Sequence, residues 1–199
     1  MLRLLLASNN RGKLVEIKDL LKDLDVDLVM PSQLGLTLKV KETGQSYAEN
    51  SALKGQAFAQ STGLLTLADD SGLEVEALQG LPGIRSARFA PQPDATDADR
   101  RAYLLQQLQT KPHPWLAKFC CVVALVSPDG FTDFAQGECP GEIISQERGH
   151  FGFGYDPIFF IPSLGKTMAE LSMAEKNQIS HRARAIKSII PLLVDRLSE

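Results

Sequence analysis

The 199-residue chain is poor in several residue types, and each shortage removes a class of explanation. There are three cysteines, Cys120, Cys121 and Cys139, an odd number without CxxC spacing. That argues against a disulfide framework or a thiolate zinc site and predicts buried thiols in a reducing compartment. Three histidines scattered at 113, 150 and 181 supply no His/Cys metal cage. No apolar run approaches the roughly 18 residues of a membrane helix. The opening stretch Leu4–Ala7 gives way at once to Ser8, Asn9 and Asn10, too early for a secretory hydrophobic region, so a cytoplasmic protein with no membrane partner is expected. Basic residues do not predominate: 21 Lys and Arg against 24 Asp and Glu give a net charge of -3, which supplies no broad surface for a nucleic-acid backbone. Neither GxxxxGK[ST] nor GxGxxG occurs, excluding a Walker loop and a dinucleotide fingerprint. There is no internal repeat and no low-complexity segment.

What remains reads as one α/β domain over 1–199, divided into two lobes. Leu2–Ala7 has the pattern of a short buried strand, and from Gly12 the spacing turns helical, with Leu14, Ile17, Leu20, Leu21 and Leu24 on one face. A second strand is expected over 27–30 and an extended segment over 36–41. Ser46-x-x-Glu49 is a capping box that opens a helix to about Ser61. Leu64–Ala68 reads as a strand ending in the turn Asp69-Asp70-Ser71-Gly72, with another strand over 73–77. The Pro- and Gly-rich stretch 79–94 predicts a long ordered loop at the lobe boundary, followed by a helix from Thr96 that carries Leu104, Leu105 and Leu108. A β-hairpin is expected over 119–136 around Ser127-Pro128-Asp129-Gly130. A glycine-punctuated loop through Gly149, Gly152 and Gly154 follows. Two helices close the chain, N-capped at Ser172 and Ser180.

Four groups can carry chemistry. Ser8, Asn9, Asn10, Arg11, Gly12 and Lys13 form a strand-to-helix turn, where unpaired N–H groups, the positive helix end and the Lys13 charge suit phosphate; an ordinary N-capped helix has the same local features. The acids Glu42, Glu49, Asp69 and Asp70 offer an oxygen-only donor set of the kind magnesium prefers, although Asp-Asp-Ser-Gly is also a good turn sequence. In Gly149–Asp156, Phe153 or Tyr155 can stack on a purine and Asp156 can accept from a ring N–H, although aromatics beside glycines are also common in plain loops. Lys176, His181 and Arg182 offer donors for phosphate or for a keto oxygen on a base.

Taken in order, SNNRGK (8–13), KETG (41–44), ENSALKG (49–55), ADDSGLEV (68–75), PGIRSARFA (82–90), FGYDPIFF (153–160) and EKNQISHRARA (175–185) resemble the inosine triphosphate pyrophosphatase (Ham1-like) family, in particular its bacterial dITP/XTP pyrophosphatase branch. The resemblance implies a long mixed β-sheet flanked by helices, two lobes around a central nucleotide-binding cleft, and a homodimer. It also implies Mg2+-dependent cleavage of non-standard purine nucleoside triphosphates between the α and β phosphates. On the same basis Ser8–Lys13 bind triphosphate, Glu42 and Asp70 hold the metal, and Asp70 activates water. Lys54 and Ser71 line that pocket, while Phe153, Gly154, Tyr155, Asp156, Lys176, His181 and Arg182 bind the nucleotide, with Phe153 stacking on the base. The pattern departs at Arg100, where an asparagine is usual. A non-catalytic nucleotide sensor and a broader nucleotide or sugar phosphatase remain as alternatives.

Overall fold

The apolar run at the start of the chain can be satisfied only if both of its faces are covered. The computed structural model, which describes residues 2–197, shows how. β1 (Leu2–Leu6) pairs in parallel with β2 (Val26–Val29) on one side and with β3 (Thr66–Val75) on the other. Because successive side chains on a strand point to opposite faces, Leu4 and Leu6 join one core cluster and Leu5 and Ala7 another. The first cluster contains Ile17 of α1 (Arg11–Leu20) and Ala185, Ile186, Ile189 and Leu193 of α5 (His181–Leu197). The second contains Phe58 of α2 (Tyr47–Thr62). Helices on both faces of parallel strands explain why β1 lacks the alternation of a half-exposed strand.

The seven-stranded mixed sheet has the order β2-β1-β3-β4-β5-β6-β7, with β4 at Trp115–Val126, β5 at Thr132–Ile143, β6 at Phe159–Ile161 and β7 at Lys166–Thr167. β5/β6 and β6/β7 pair antiparallel. The remaining helices are α3 (Asp97–Leu108) and α4 (Met173–Ile179). Two compact units emerge: residues 1–70, 121–137 and 181–199 in the first, and 71–120 with 138–180 in the second. Each of β3, β4 and β5 gives part of its length to each unit. The second unit has its own core, where Leu73, Leu104, Leu108, Phe119 and Phe159 pack together, the two phenylalanine rings 4.4 Å apart between centroids.

Three expectations need correction. Asp69-Asp70-Ser71-Gly72 does not turn: β3 continues through it from Thr66 to Val75. Turn propensity loses here because both aspartates find ionic or hydrogen-bonding partners on helices α1, α2 and α5, which removes the drive to expose them. The strand expected over 73–77 stops at Val75, and residues 76–78 form a 3-10 turn. The 79–94 stretch lies wholly inside the second unit and contains a further 3-10 segment, Gly83–Arg88; the units instead exchange the chain within strands and at the start of α5.

All three cysteines are buried as free thiols, and burial raises the pKa of both Cys120 and Cys121 to about 12. Among the described residues, no helix is long and apolar enough to cross a membrane. At Gly137 of β5 the strand meets the start of α5 so closely that an added Cβ would lie 2.6 Å from the Ala185 nitrogen, and closer still to the His181 carbonyl oxygen. Since backbone atoms cannot swing aside, Gly137→Ala is expected to destabilise the protein by roughly 1–3 kcal/mol in urea unfolding. An unchanged midpoint would show that the helix can slide.

Candidate functional site

The β1–α1 turn is shaped by its own side chains. Ser8 Oγ accepts from the Asn10 N–H at 3.1 Å, and Asn10 Oδ1 caps α1 by accepting from the Lys13 N–H at 3.2 Å. Asn9, Asn10 and Arg11 are exposed, Gly12 is half-buried, and Lys13 reaches back to β3. Its Nζ lies 3.0 Å from Asp69 Oδ1 and 2.9 Å from Oδ2.

β3 then separates its two acids. Asp69 takes Lys13 and, on Oδ2, the Arg182 Nε at 3.2 Å; Arg182 Nη1 reaches Glu16 at 2.5 Å. Arg182 and Glu16 are each 2% exposed and Asp69 1%. Asp70 turns to α2 instead: Asn50 Nδ2 donates to its Oδ2 at 3.1 Å, and Lys54 Nζ stands 3.7 Å from its Oδ1. Lys54 also binds Glu42 at 2.8 Å and donates to the Asp69 carbonyl oxygen at 2.7 Å. Asn50 and Lys54, four residues apart on α2, therefore share a face. The Gly44 N–H donates to Asn50 Oδ1 at 2.9 Å, which pins the segment bearing Glu42. One ammonium thus gathers two carboxylates from different segments, while a second cation stands on the other acid of β3.

Electrostatics divides the neighbouring aspartates. Burial opposes ionisation of Asp69, but Lys13, Arg182 and Lys54 outweigh it and hold its carboxyl well below the usual range. Burial dominates at Asp70, with Glu42 adding to it, so this carboxyl is raised despite Lys54. For Lys54, burial is outweighed by Asp69, Asp70 and Glu42, and its pKa goes up.

A depressed carboxyl pKa has a consequence for stability. The unfolded chain binds a proton at Asp69 near 3.8 whereas the folded protein resists it, so the stabilisation is complete above that value and is lost as pH falls through the lower folded value. Asp69→Asn should flatten the decline of the urea midpoint between about pH 5 and about pH 3, whatever its effect at neutral pH. A parallel decline in both proteins would place the acid sensitivity elsewhere.

The second unit assembles a separate group. Asp156, buried, accepts on Oδ2 from the Phe153 N–H at 2.9 Å and from Lys176 Nζ at 2.6 Å. That ammonium sits 5.2 Å from the Phe153 ring centroid. An aromatic face, a buried cation and a carboxylate are thereby joined. A Cβ on Gly152, whose φ is +77°, would strike the Asp156 carboxylate, so only glycine permits this close turn. Tyr155 does not serve as a stacking ring. It belongs to the core of the second unit, and its hydroxyl donates to the Ser86 carbonyl oxygen at 2.9 Å, which leaves Phe153 as the half-exposed ring of the pair. Ser71 follows Asp70 on β3, and His181 is buried at the first residue of α5.

Sequence reasoning passed over Glu16 and Asn50. Asn50 was legible in principle, standing one helical turn before Lys54. Glu16 carries no local signal within α1, and only its distant partner Arg182 explains its burial.

An α/β protein with a mixed sheet, carrying lysines and carboxylates gathered on strand β3 and an aromatic–lysine–carboxylate group on a glycine loop, is defined by these observations. The chain matches the Ham1 family over residues 4–192 and belongs to it. It is 44% identical over 193 residues to the dITP/XTP pyrophosphatase of Desulforamulus reducens, covering 96% of each chain. Among solved structures it resembles a HAM1 protein from Coxiella burnetii, with a TM-score of 0.88 and 39% identity over 98% of this chain and 100% of that one. The Ham1 protein of Staphylococcus aureus gives a TM-score of 0.85 at 41% identity, over 98% and 99%.

Proposed function

We propose that the protein hydrolyses non-standard purine nucleoside triphosphates, namely ITP, dITP and XTP, to the monophosphate and pyrophosphate, with Mg2+ as cofactor. The observation that carries this reading is the convergence of Glu42 and Asp70 on Lys54 beside the Lys13–Asp69 pair. Hydrolysis of a phosphoanhydride requires charge neutralisation and a positioned water more than covalent catalysis. The family membership and the named relatives support the same substrate class.

In this reading the turn Ser8–Lys13 receives the triphosphate, through the helix-start amides that its internal bonds leave over and the Lys13 ammonium. Lys54, whose positive charge is reinforced by its acids, adds a second cation. Asp70 Oδ2 is engaged by Asn50, and its Oδ1 lies too far from Lys54 for a hydrogen bond. That oxygen is assigned to accept the proton of the attacking water, a role for which a raised pKa suits it. The oxygen-only donors Glu42 and Asp70 match the preference of Mg2+ for one or two carboxylates and would hold it. When bound, Mg2+ supplies further neutralisation of phosphate charge. Ser71, next to Asp70 on β3, is assigned to the same group.

Phe153 takes the base on its face, with Gly154, Tyr155, Asp156 and Lys176 forming the support and polar edge. His181 and Arg182 are assigned to the exocyclic oxygen. Hypoxanthine and xanthine carry an acceptor at O6 where adenine carries a donor, so a guanidinium favours the former and opposes donor to donor in the latter. The reading includes a homodimer in the cytoplasm; three buried free thiols accord with a reducing compartment.

The test is incubation with ITP, XTP, GTP and ATP, with and without Mg2+, with the phosphorus products identified by NMR. Metal-dependent pyrophosphate from ITP and XTP, with little from ATP or GTP, is expected. Orthophosphate would identify a phosphatase, and intact nucleotide a sensor.

A further inference from the structure

Gly154 stands between the Phe153 ring and the Asp156 turn, and both polar atoms of its backbone are held by one helix. Its N–H donates to Asp97 Oδ2 at 2.7 Å, and its carbonyl oxygen accepts from Arg101 Nη1 at 2.9 Å. Asp97 and Arg101 lie four residues apart on α3 and so present one face. The same guanidinium takes Glu147 in a two-point grip, Nε to Oε1 at 2.8 Å and Nη2 to Oε2 at 3.0 Å. Arg101 therefore ties the beginning of the 147–154 loop to its end. Within that loop Gly149, Gly152 and Gly154 all have positive φ. A glycine peptide has no side chain to set its orientation, so external bonds must do so. The Phe153 N–H is fixed by Asp156, and the Phe153–Gly154 peptide is fixed by Asp97. These two bonds flank the residue whose ring is assigned to the base.

We propose that Asp97 and Arg101 are positioning residues for base recognition: with Glu147 they form a clasp from α3 that pre-sets the two peptides flanking Gly154, Asp97 holding Phe153–Gly154 and Arg101 holding Gly154–Tyr155. The proposal rests on the nucleotide reading of the site. Without the clasp the loop must be ordered at each binding event, a cost that falls on the base and not on the phosphate chain. Arg100, the residue at which the chain departs from the family pattern, strengthens the same helix start by donating to the Ala95 carbonyl oxygen at 2.5 Å and pairing with Asp97. The neighbouring capping box of Thr96 and Asp99 fixes that end of α3 independently.

The decisive variant is Arg101→Met, which keeps the apolar stem and removes the donors. The KM for ITP is expected to rise about tenfold, in line with loss of charge-assisted bonds, with kcat within about twofold. Magnesium tripolyphosphate, which has no base, should compete with ITP with a Ki changed by less than about twofold, because only the base end is loosened. A KM within twofold of the parent's, or a Ki that rises in step with KM, would overturn the proposal. If near-UV circular dichroism shows that Arg101→Met has not folded, Arg101→Lys replaces it. Lysine can reach the Gly154 carbonyl but cannot grip Glu147 at two points, so a KM raised about threefold is expected and a parental KM refutes the clasp. Should the parent protein release no pyrophosphate from ITP, the reading of function fails by itself. The clasp is then judged by amide hydrogen exchange over Phe153–Tyr155: about tenfold faster exchange in the variant supports it, and unchanged exchange overturns it.

Discussion

Asp70→Asn is expected to lower kcat for ITP by about 10³-fold or more while leaving the protein folded and able to bind nucleotide. The magnitude follows from removing a general base, whose contribution is typically 10²- to 10⁴-fold, together with a carboxylate assigned to the metal. The change is nearly isosteric, and the new amide oxygen can still accept the bond from Asn50. Its effect on stability should run against intuition. In the folded protein Asp70 has a raised pKa, so its contribution to stability is full below the unfolded value and is lost as pH rises through the folded one. At neutral pH the ionised carboxylate is thus a burden of burial, and the amide relieves it. Lys54 loses one counter-charge but keeps Glu42 and the Asp69 carbonyl oxygen. In metal-free buffer the unfolding free energy from urea titration should therefore fall by less than about 1 kcal/mol, or rise. Activity close to that of the parent would dismiss Asp70 as the base, and a collapse in stability would dismiss the account of its burial.

Arg182→Met should have the largest effect on stability, about 3–5 kcal/mol, because it strips the counter-charge from two buried carboxylates at once. Glu16 and Asp69 are both almost inaccessible to water, and Arg182 bonds to each. Asp69 retains Lys13, so the orphaned group is mainly Glu16. Arg182→Met combined with Glu16→Gln should then recover at least about 1 kcal/mol relative to the single variant in a double-mutant cycle. A cost under 1 kcal/mol, or strict additivity, would mean that water reaches the pair. The same variant bears on selectivity, since loss of the guanidinium should narrow the preference for ITP over ATP. An unchanged ratio would remove Arg182 from base recognition and leave it a purely structural cation.

The separation of structure from local pattern is clearest on β3. The sequence marks Asp69 and Asp70 as oxygen donors at the end of a strand. Their turn-favouring neighbours nevertheless concealed that the strand runs straight through them. Tyr155 and Phe153 were equivalent as aromatics beside glycines, but the space in the second core accepted only Tyr155. The helix starts at Ser46, Thr96 and Ser172 were legible because the N-cap bond is closed within four residues: in each the side-chain oxygen accepts from the N–H three residues on, and at Thr96 and Ser172 the reciprocal bond completes a capping box, while Glu49 reaches back to Gln45 instead of Ser46.

By itself the sequence determined most of the local elements, the α/β character and, through seven ordered motifs, the family. Those properties depend on residues that are neighbours along the chain or on patterns carried in their order. Only the tertiary structure decided which charges meet: Arg182 with Asp69, 113 positions away, and with Glu16, 166 positions away, and Arg101 with both ends of a loop some fifty residues distant. No periodicity records such pairings. They arise when sheet order and helix packing bring remote segments together, and burial then obliges each charge to find its opposite.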